Sequence, residues 1–116
     1  MKTASFYTYA GPGRISIARF APRGVAAGFR VYKPLAPGPW FNSVDERRYR
    51  ELYFAQLAKL DAATVVQQLE ALAAGHEPTL LCYEMPSDIA AGKTFCHRHM
   101  VAEWLQQRLG LVVAER

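Results

Sequence analysis

The apolar run Leu80-Leu81-Cys82-Tyr83 follows Pro78-Thr79 and precedes a helical stretch that ends at Gly110, just before Leu111-Val112-Val113. An uninterrupted run of this kind is the pattern of a strand covered on both faces, as the inner strands of a parallel sheet are. Strand, helix, strand is also the order that builds a parallel crossover. The expected fold class is therefore α/β: a small, mostly parallel sheet with helices on both faces, in a single three-layer domain spanning residues 1–116.

The rest of the chain divides at Pro34-Leu35-Ala36-Pro37-Gly38-Pro39, whose three prolines exclude an α-helix and discourage a central strand. Upstream are three short strand-like runs, Ser5 to Tyr9, Arg14 to Phe20 and Phe29 to Tyr32, separated by Gly and Pro. Downstream, helical periodicity takes over. Ser43 and Glu46 stand at capping-box spacing ahead of Tyr49, Leu52, Tyr53, Leu57 and Leu60, which recur at three and four. A second helix is predicted from the N-cap Asp61 through Val65, Val66, Leu69, Leu72 and Ala73 to a stop at Gly75. A third starts near Thr94 and carries Met100, Val101, Trp104, Leu105 and Leu109.

With 116 residues, 51% of them hydrophobic, the chain can bury one core of its own without a disulfide or a metal. No window approaches the roughly 18 apolar residues of a membrane span. Residues 1–10 lack the apolar segment of a signal peptide, so a cytoplasmic location and two reduced cysteines are expected. The net charge of +4 conceals an asymmetry: Lys2, Arg14, Arg19, Arg23, Arg30 and Lys33 precede the first acidic residue, Asp45. Such a block reads either as solvated charge or as a surface that meets anions.

In open parallel sheets the ligand crevice lies beyond the carboxyl ends of the strands, which here points to the segment from Glu84 to Arg98. Cys82 and Glu84 are two apart along an extended strand, hence on one face. If Thr94 caps the next helix, Cys96 falls in its first turn, where unpaired N–H groups and the helix dipole favour a thiolate. Cys96 is then the candidate nucleophile, His97 its proton partner, and Glu84 a candidate acid or base. Arg98 is suited to a phosphate or carboxylate. The plainer readings are that Cys82 is a small buried hydrophobe and Glu84 a residue at a strand end. A redox pair of Cys82 and Cys96 requires Cα atoms within about 7 Å. A zinc site of Cys82, Cys96, His97 and His99 is disfavoured, because adjacent ligands lack the usual spacing and His99 shares a polar face with Glu103 and Gln106. No metal and no cofactor is implied. Gly11-Pro12-Gly13 reads as a turn, because no helix follows it as a phosphate loop needs. Tyr7, Tyr9, Tyr32, Trp40 and Phe41 read as core rather than as a stacking surface for bases.

The run Leu80-Leu81-Cys82-Tyr83-Glu84, the later Cys96-His97-Arg98 leading into Val101-Ala102-Glu103-Trp104-Leu105, the segment Arg14 to Gly24 and Tyr49-Arg50-Glu51-Leu52-Tyr53 together resemble the domain-of-unknown-function 488 family. The likeness covers nearly the whole chain, departing in the long loop Met85 to Phe95 and in Pro34 to Pro39. It implies a single α/β domain. The family's paired cysteines suggest an enzyme, with Cys82, Glu84, Cys96, His97 and Arg98 at one locus and Arg19, Pro22 and Arg23 at another.

Three functions are compatible with these residues. The first is a small enzyme with a cysteine-containing anion pocket, in which Arg19, Arg23 and Arg98 hold a phosphorylated, nucleotide or nucleic-acid substrate. The second is a non-catalytic nucleic-acid-binding module using the basic N-terminal third. The third is a structural or partner-binding protein with core cysteines. The partner expected is an anionic small molecule or a nucleic acid, and not a membrane.

Overall fold

The computed structural model describes residues 1–116, and its centre is a five-stranded sheet in which every strand pair is parallel. The strands are β1 (Lys2–Ser5), β2 (Arg14–Ser16), β3 (Arg30–Val31), β4 (Thr79–Cys82) and β5 (Ala114–Glu115), in the order β3-β2-β4-β1-β5. The helices are α1 (Glu46–Leu57), α2 (Ala62–Ala73), the short α3 (Pro86–Ala90) and α4 (His97–Leu109). None is long and apolar enough to cross a membrane.

β4 is the middle strand and all four of its residues are buried, which is why its sequence runs apolar without alternation. Leu80 joins the main core with Ile15 and Ile17, packed under Tyr53 and Leu57 of α1, Leu69 of α2 and Val101 and Leu105 of α4. Leu81, its neighbour in the pleat, joins a second cluster with Ala4, Phe6, Ala18, Cys82 and Cys96. That second cluster is closed by Ile89 of α3 and by loop residues Tyr9, Val25 and Phe29.

Element ends follow local chemistry more closely than periodicity. Asp45, and not Ser43, caps α1, accepting a hydrogen bond from the Arg48 amide at 2.8 Å. Asp61 caps α2 as the sequence suggests, accepting from the Thr64 amide at 3.1 Å. α4 begins two residues later than a Thr94 cap would place it: its N-cap is Cys96 itself, in extended conformation. The first strand lies earlier than Ser5 to Tyr9 and the last later than Leu111 to Val113, because register with β4 and β1, not β propensity, decides which residues pair. Around Pro34 the chain makes one 3-10 turn, Lys33–Leu35, whose first turn tolerates a proline.

Gly13 closes the turn into β2. Its φ is +82°, its carbonyl accepts from the Thr79 amide at 2.9 Å, and an added Cβ would fall on the Glu77 carbonyl. Gly13→Ala is expected to cost about 2 kcal/mol or more, since left-handed strain and a backbone clash act together. Urea denaturation measures this, and a loss below about 0.5 kcal/mol would show that the turn relaxes freely.

Candidate functional site

A cavity of about 360 Å³ lies beyond the carboxyl ends of β2 and β4, where the crevice of a parallel sheet is expected. Ala18, Arg19 and Phe20 reach it from the exit of β2, and Tyr83 and Glu84 from the exit of β4. Thr94, Phe95 and His97 enter from the start of α4, Tyr49 from α1, and Pro37, Phe41, Asn42 and Val44 from the segment after the prolines. Five of its wall residues are Phe20, Phe41, Tyr49, Tyr83 and Phe95. Tyr49 meets Phe95 edge-on with ring centres 4.9 Å apart. The Tyr83 hydroxyl donates to the Phe20 carbonyl, tying the exits of β2 and β4 together.

Glu84 is half-buried, and its Oε2 is sealed from solvent with no hydrogen-bond partner. Burial pushes its carboxyl above the ordinary range, against the opposing pull of its backbone hydrogen bond and the charge of Arg98. Burial, reinforced by the Glu84 charge, also raises the Tyr49 hydroxyl, which therefore stays protonated. The Arg19 guanidinium stacks near Phe20 and Phe41, 5.7 and 5.9 Å from their ring centres, and donates to the Pro37 carbonyl at 3.1 Å. A second cleft of about 360 Å³ adjoins the first and shares Arg19, Phe20 and Pro37 with it. It adds Lys33 and Gln56 and contains no acidic residue.

Cys82, Cys96 and Arg98 do not line this cavity but cluster next to His97, which does. Cys82 and Cys96 form a disulfide, their Cα atoms 7.3 Å apart, so the expectation of two reduced thiols is corrected. Reduced thiols are what a reducing compartment favours. The fold acts on geometry instead, bringing the end of β4 and the start of α4 together over 14 residues of sequence. Both cysteines are buried, and Cys96 has no thiol with which to attack while the bond stands.

His97 is buried, packs edge-on against Tyr53 at 5.4 Å and holds the Ile17 carbonyl 2.7 Å from its Nε2. Burial lowers its pKa to about 4, with the Ile17 hydrogen bond opposing and the Arg98 charge assisting. The neutral ring then donates from Nε2 to Ile17, which leaves Nδ1 beside the Cys96 sulfur at 4.0 Å. The donor atoms of Cys82, Cys96 and His97 lie within 4.8 Å of one another. They form a set able to take a thiophilic metal only after reduction, with the Arg98 Nη1 already 3.2 Å from the Cys82 sulfur.

Arg98 has no exposed surface, and its fork closes on Glu115 of β5, Nε to Oε1 at 3.0 Å and Nη2 to Oε2 at 2.7 Å. The bidentate geometry expected for a substrate anion is thus occupied by the protein's own carboxylate. Glu115 also accepts from the Thr3 hydroxyl at 2.6 Å and contacts His99 Nε2 at 3.1 Å. Burial alone would raise its pKa, but the bonds from His99, Arg98 and Thr3 outweigh that and hold it at about 2.

Of the residues singled out in the sequence, Arg19, Glu84 and His97 meet at the cavity, and Cys82, Cys96 and Arg98 cluster next to His97 without lining it. Arg23 is exposed and does not line it, and His99 contacts Glu115. Tyr49, Lys33 and Glu115 had not been singled out for a site. Tyr49 reads as core by its helical spacing, and Glu115, in a two-residue strand near the chain end, carries no pattern that points to Arg98. Among the aromatic residues, Tyr32 is buried, Trp40 and Phe41 pack on the main core and Tyr9 on the second, whereas Tyr7 is exposed.

A small parallel α/β sheet with an aromatic-walled cavity at its carboxyl edge, and a cysteine pair next to its His97, defines the class of this protein. More particularly, the chain belongs to the family described as the active DUF488-N3 subclade, whose model matches residues 2–109. No curated protein and no solved structure matches it.

Proposed function

We propose that this protein is a small enzyme that binds a phosphorylated aromatic ligand of the nucleotide type at the carboxyl edge of its sheet, with Glu84 moving a proton at the bound ligand. The observation that carries this reading is the Glu84 carboxyl, which lines an aromatic-walled cavity and keeps one oxygen without a partner. A buried polar atom left unpaired costs stability, and such atoms concentrate where a ligand completes them. A carboxyl shifted toward its protonated form serves as a proton donor. The rings supply flat apolar contact for a base. Arg19, at the junction of the two cavities, and Lys33, in the acid-free one, supply the positive charge a phosphate requires. The family description, an active subclade, agrees with an enzyme.

In this reading His97 is a neutral positioning residue and Arg98 acts through Glu115 and Cys82 instead of touching substrate. A cytoplasmic location belongs to this reading, since nucleotides are held there. Calorimetric titration with adenosine 5′-monophosphate, and with adenosine as its uncharged counterpart, tests the reading. The phosphorylated ligand is expected to bind tighter, and Arg19→Ala to weaken it about tenfold or more while leaving adenosine nearly unchanged. Glu84→Gln is expected to keep adenosine binding and to remove the pH dependence that the raised Glu84 carboxyl gives it above pH 4.5. Failure of all four common nucleoside monophosphates to bind, or indifference to Arg19→Ala, would sink it.

A non-catalytic nucleic-acid module is favoured by one observation: Phe20, 63% exposed, carries Arg19 beside it at the cavity mouth, as in stacking platforms for single strands. Steeply salt-dependent binding of oligonucleotides, with no response to mononucleotides, would select that reading.

A further inference from the structure

We infer that the Cys82–Cys96 disulfide is a reversible latch on the ligand cavity, so that the redox state of this pair sets the affinity for whatever the cavity holds. The bond joins the last residue of β4 to the N-cap of α4, and so closes the base of the loop 83–95. Tyr83, Glu84, Thr94 and Phe95, which form one wall of the cavity, all lie within that loop. Besides the latch, the wall is held to the opposite side by the Tyr83 hydroxyl on the Phe20 carbonyl and by the contact of Phe95 with Tyr49. Cutting the bond lengthens the loop's freedom at its base, and an ordered loop released in this way regains conformational entropy that ligand binding must again remove.

Two features make the pair suited to reversible chemistry. The Arg98 guanidinium stands 3.2 Å from the Cys82 sulfur, where it stabilises a departing thiolate. Cys96, at the N-cap of α4, meets the positive end of the helix dipole. A dithiol supplies the electrons: its thiolate attacks one sulfur, the S–S bond breaks, and its second thiol resolves the mixed disulfide. The reductant ends as a disulfide, and Cys82 and Cys96 end as two thiols carrying its two protons. Because Cys82 has no exposed surface and Cys96 only 3%, the attacking thiol enters when the loop lifts. A ligand that holds the loop down therefore protects the bond, by the reciprocity of linked equilibria.

Hydrogen exchange on the full chain, with the disulfide intact and after dithiothreitol reduction, tests the latch itself. Amides of 83–95 are expected to exchange at least tenfold faster after reduction, with α1 and α2 unchanged. Cys96→Ser is expected to reproduce the reduced pattern. Equal loop exchange in both states, global unfolding on reduction, or a bond that dithiothreitol does not open in the folded chain would each overturn the proposal, and the wild-type comparison decides even if the variant fails to fold. The effect on affinity rests on the nucleotide reading: adenosine 5′-monophosphate should bind about tenfold more weakly to reduced protein and, at saturation, shift the dithiol–disulfide equilibrium toward the disulfide by the same factor. If it binds to neither form while exchange still changes, the nucleotide reading falls and the latch stands. If it binds equally to both while exchange still changes, the latch does not govern the cavity and the inference is overturned.

Discussion

Exchanging Arg98 for methionine is expected to destabilise the protein by about 3 to 5 kcal/mol, the usual cost of removing one member of a buried charge pair. The guanidinium has no exposed surface and spends three of its donors on Glu115 Oε1, Glu115 Oε2 and the Cys82 sulfur. Methionine fills much of the volume but leaves the Glu115 carboxylate, about one-fifth exposed, with only Thr3 and His99. Of the two side-chain links from α4 to Glu115 of β5, only the His99 contact then remains. Chemical denaturation reads the effect, and a loss under about 1 kcal/mol would show that water replaces the guanidinium at little cost. The same variant should flatten the acid limb of the stability curve. Glu115 titrates near pH 2 in the folded chain against an ordinary value of 4.5, so its contribution is complete above pH 4.5 and fades as pH falls toward 2. Without Arg98 the folded value rises and that fade shrinks.

The second large effect lies at higher pH and belongs to His97. Its folded pKa is about 4 and its ordinary value 6.5, so the unfolded chain takes up the proton first as the solution is acidified. Its contribution is therefore complete above pH 6.5, declines between 6.5 and 4, and is exhausted below 4. At the standard conversion per pH unit the decline amounts to about 3 kcal/mol. The cause is burial against Tyr53, where a charged imidazole would be desolvated beside the Arg98 guanidinium. His97→Gln keeps a donor for the Ile17 carbonyl and removes this titration, so the variant should lose the His97 part of the decline across that window. A wild-type curve already level from pH 7 to 4.5 would mean that the buried ring is protonated at no cost and would refute the neutral assignment.

These two side chains show where sequence reading stops. His97 and Arg98 stand out in the sequence because they follow Cys96 at a helix start, which predicts His97 as the proton partner of Cys96 and Arg98 as an anion holder. Their neighbours could not be read from the sequence: Ile17 lies 80 residues from His97, and Glu115 sits in a two-residue strand that neither propensity nor motif identifies. Glu84 was legible as a residue at a strand exit. That its carboxyl would be left with an unpaired oxygen depends on the packing of the wall residues around it.

The sequence by itself determined the α/β class and the parallel sheet, because an apolar run without alternation needs cover on both faces and a helix between two strands needs a parallel return. It also determined the caps Asp61 and Gly110, where local chemistry suffices. Only the tertiary structure decided the insertion of β4 between β1 and β2, the bonding of Cys82 to Cys96 and the capture of Arg98 by Glu115. Each of these joins residues distant in the chain, and such pairings are chosen by register and shared burial rather than by any local preference.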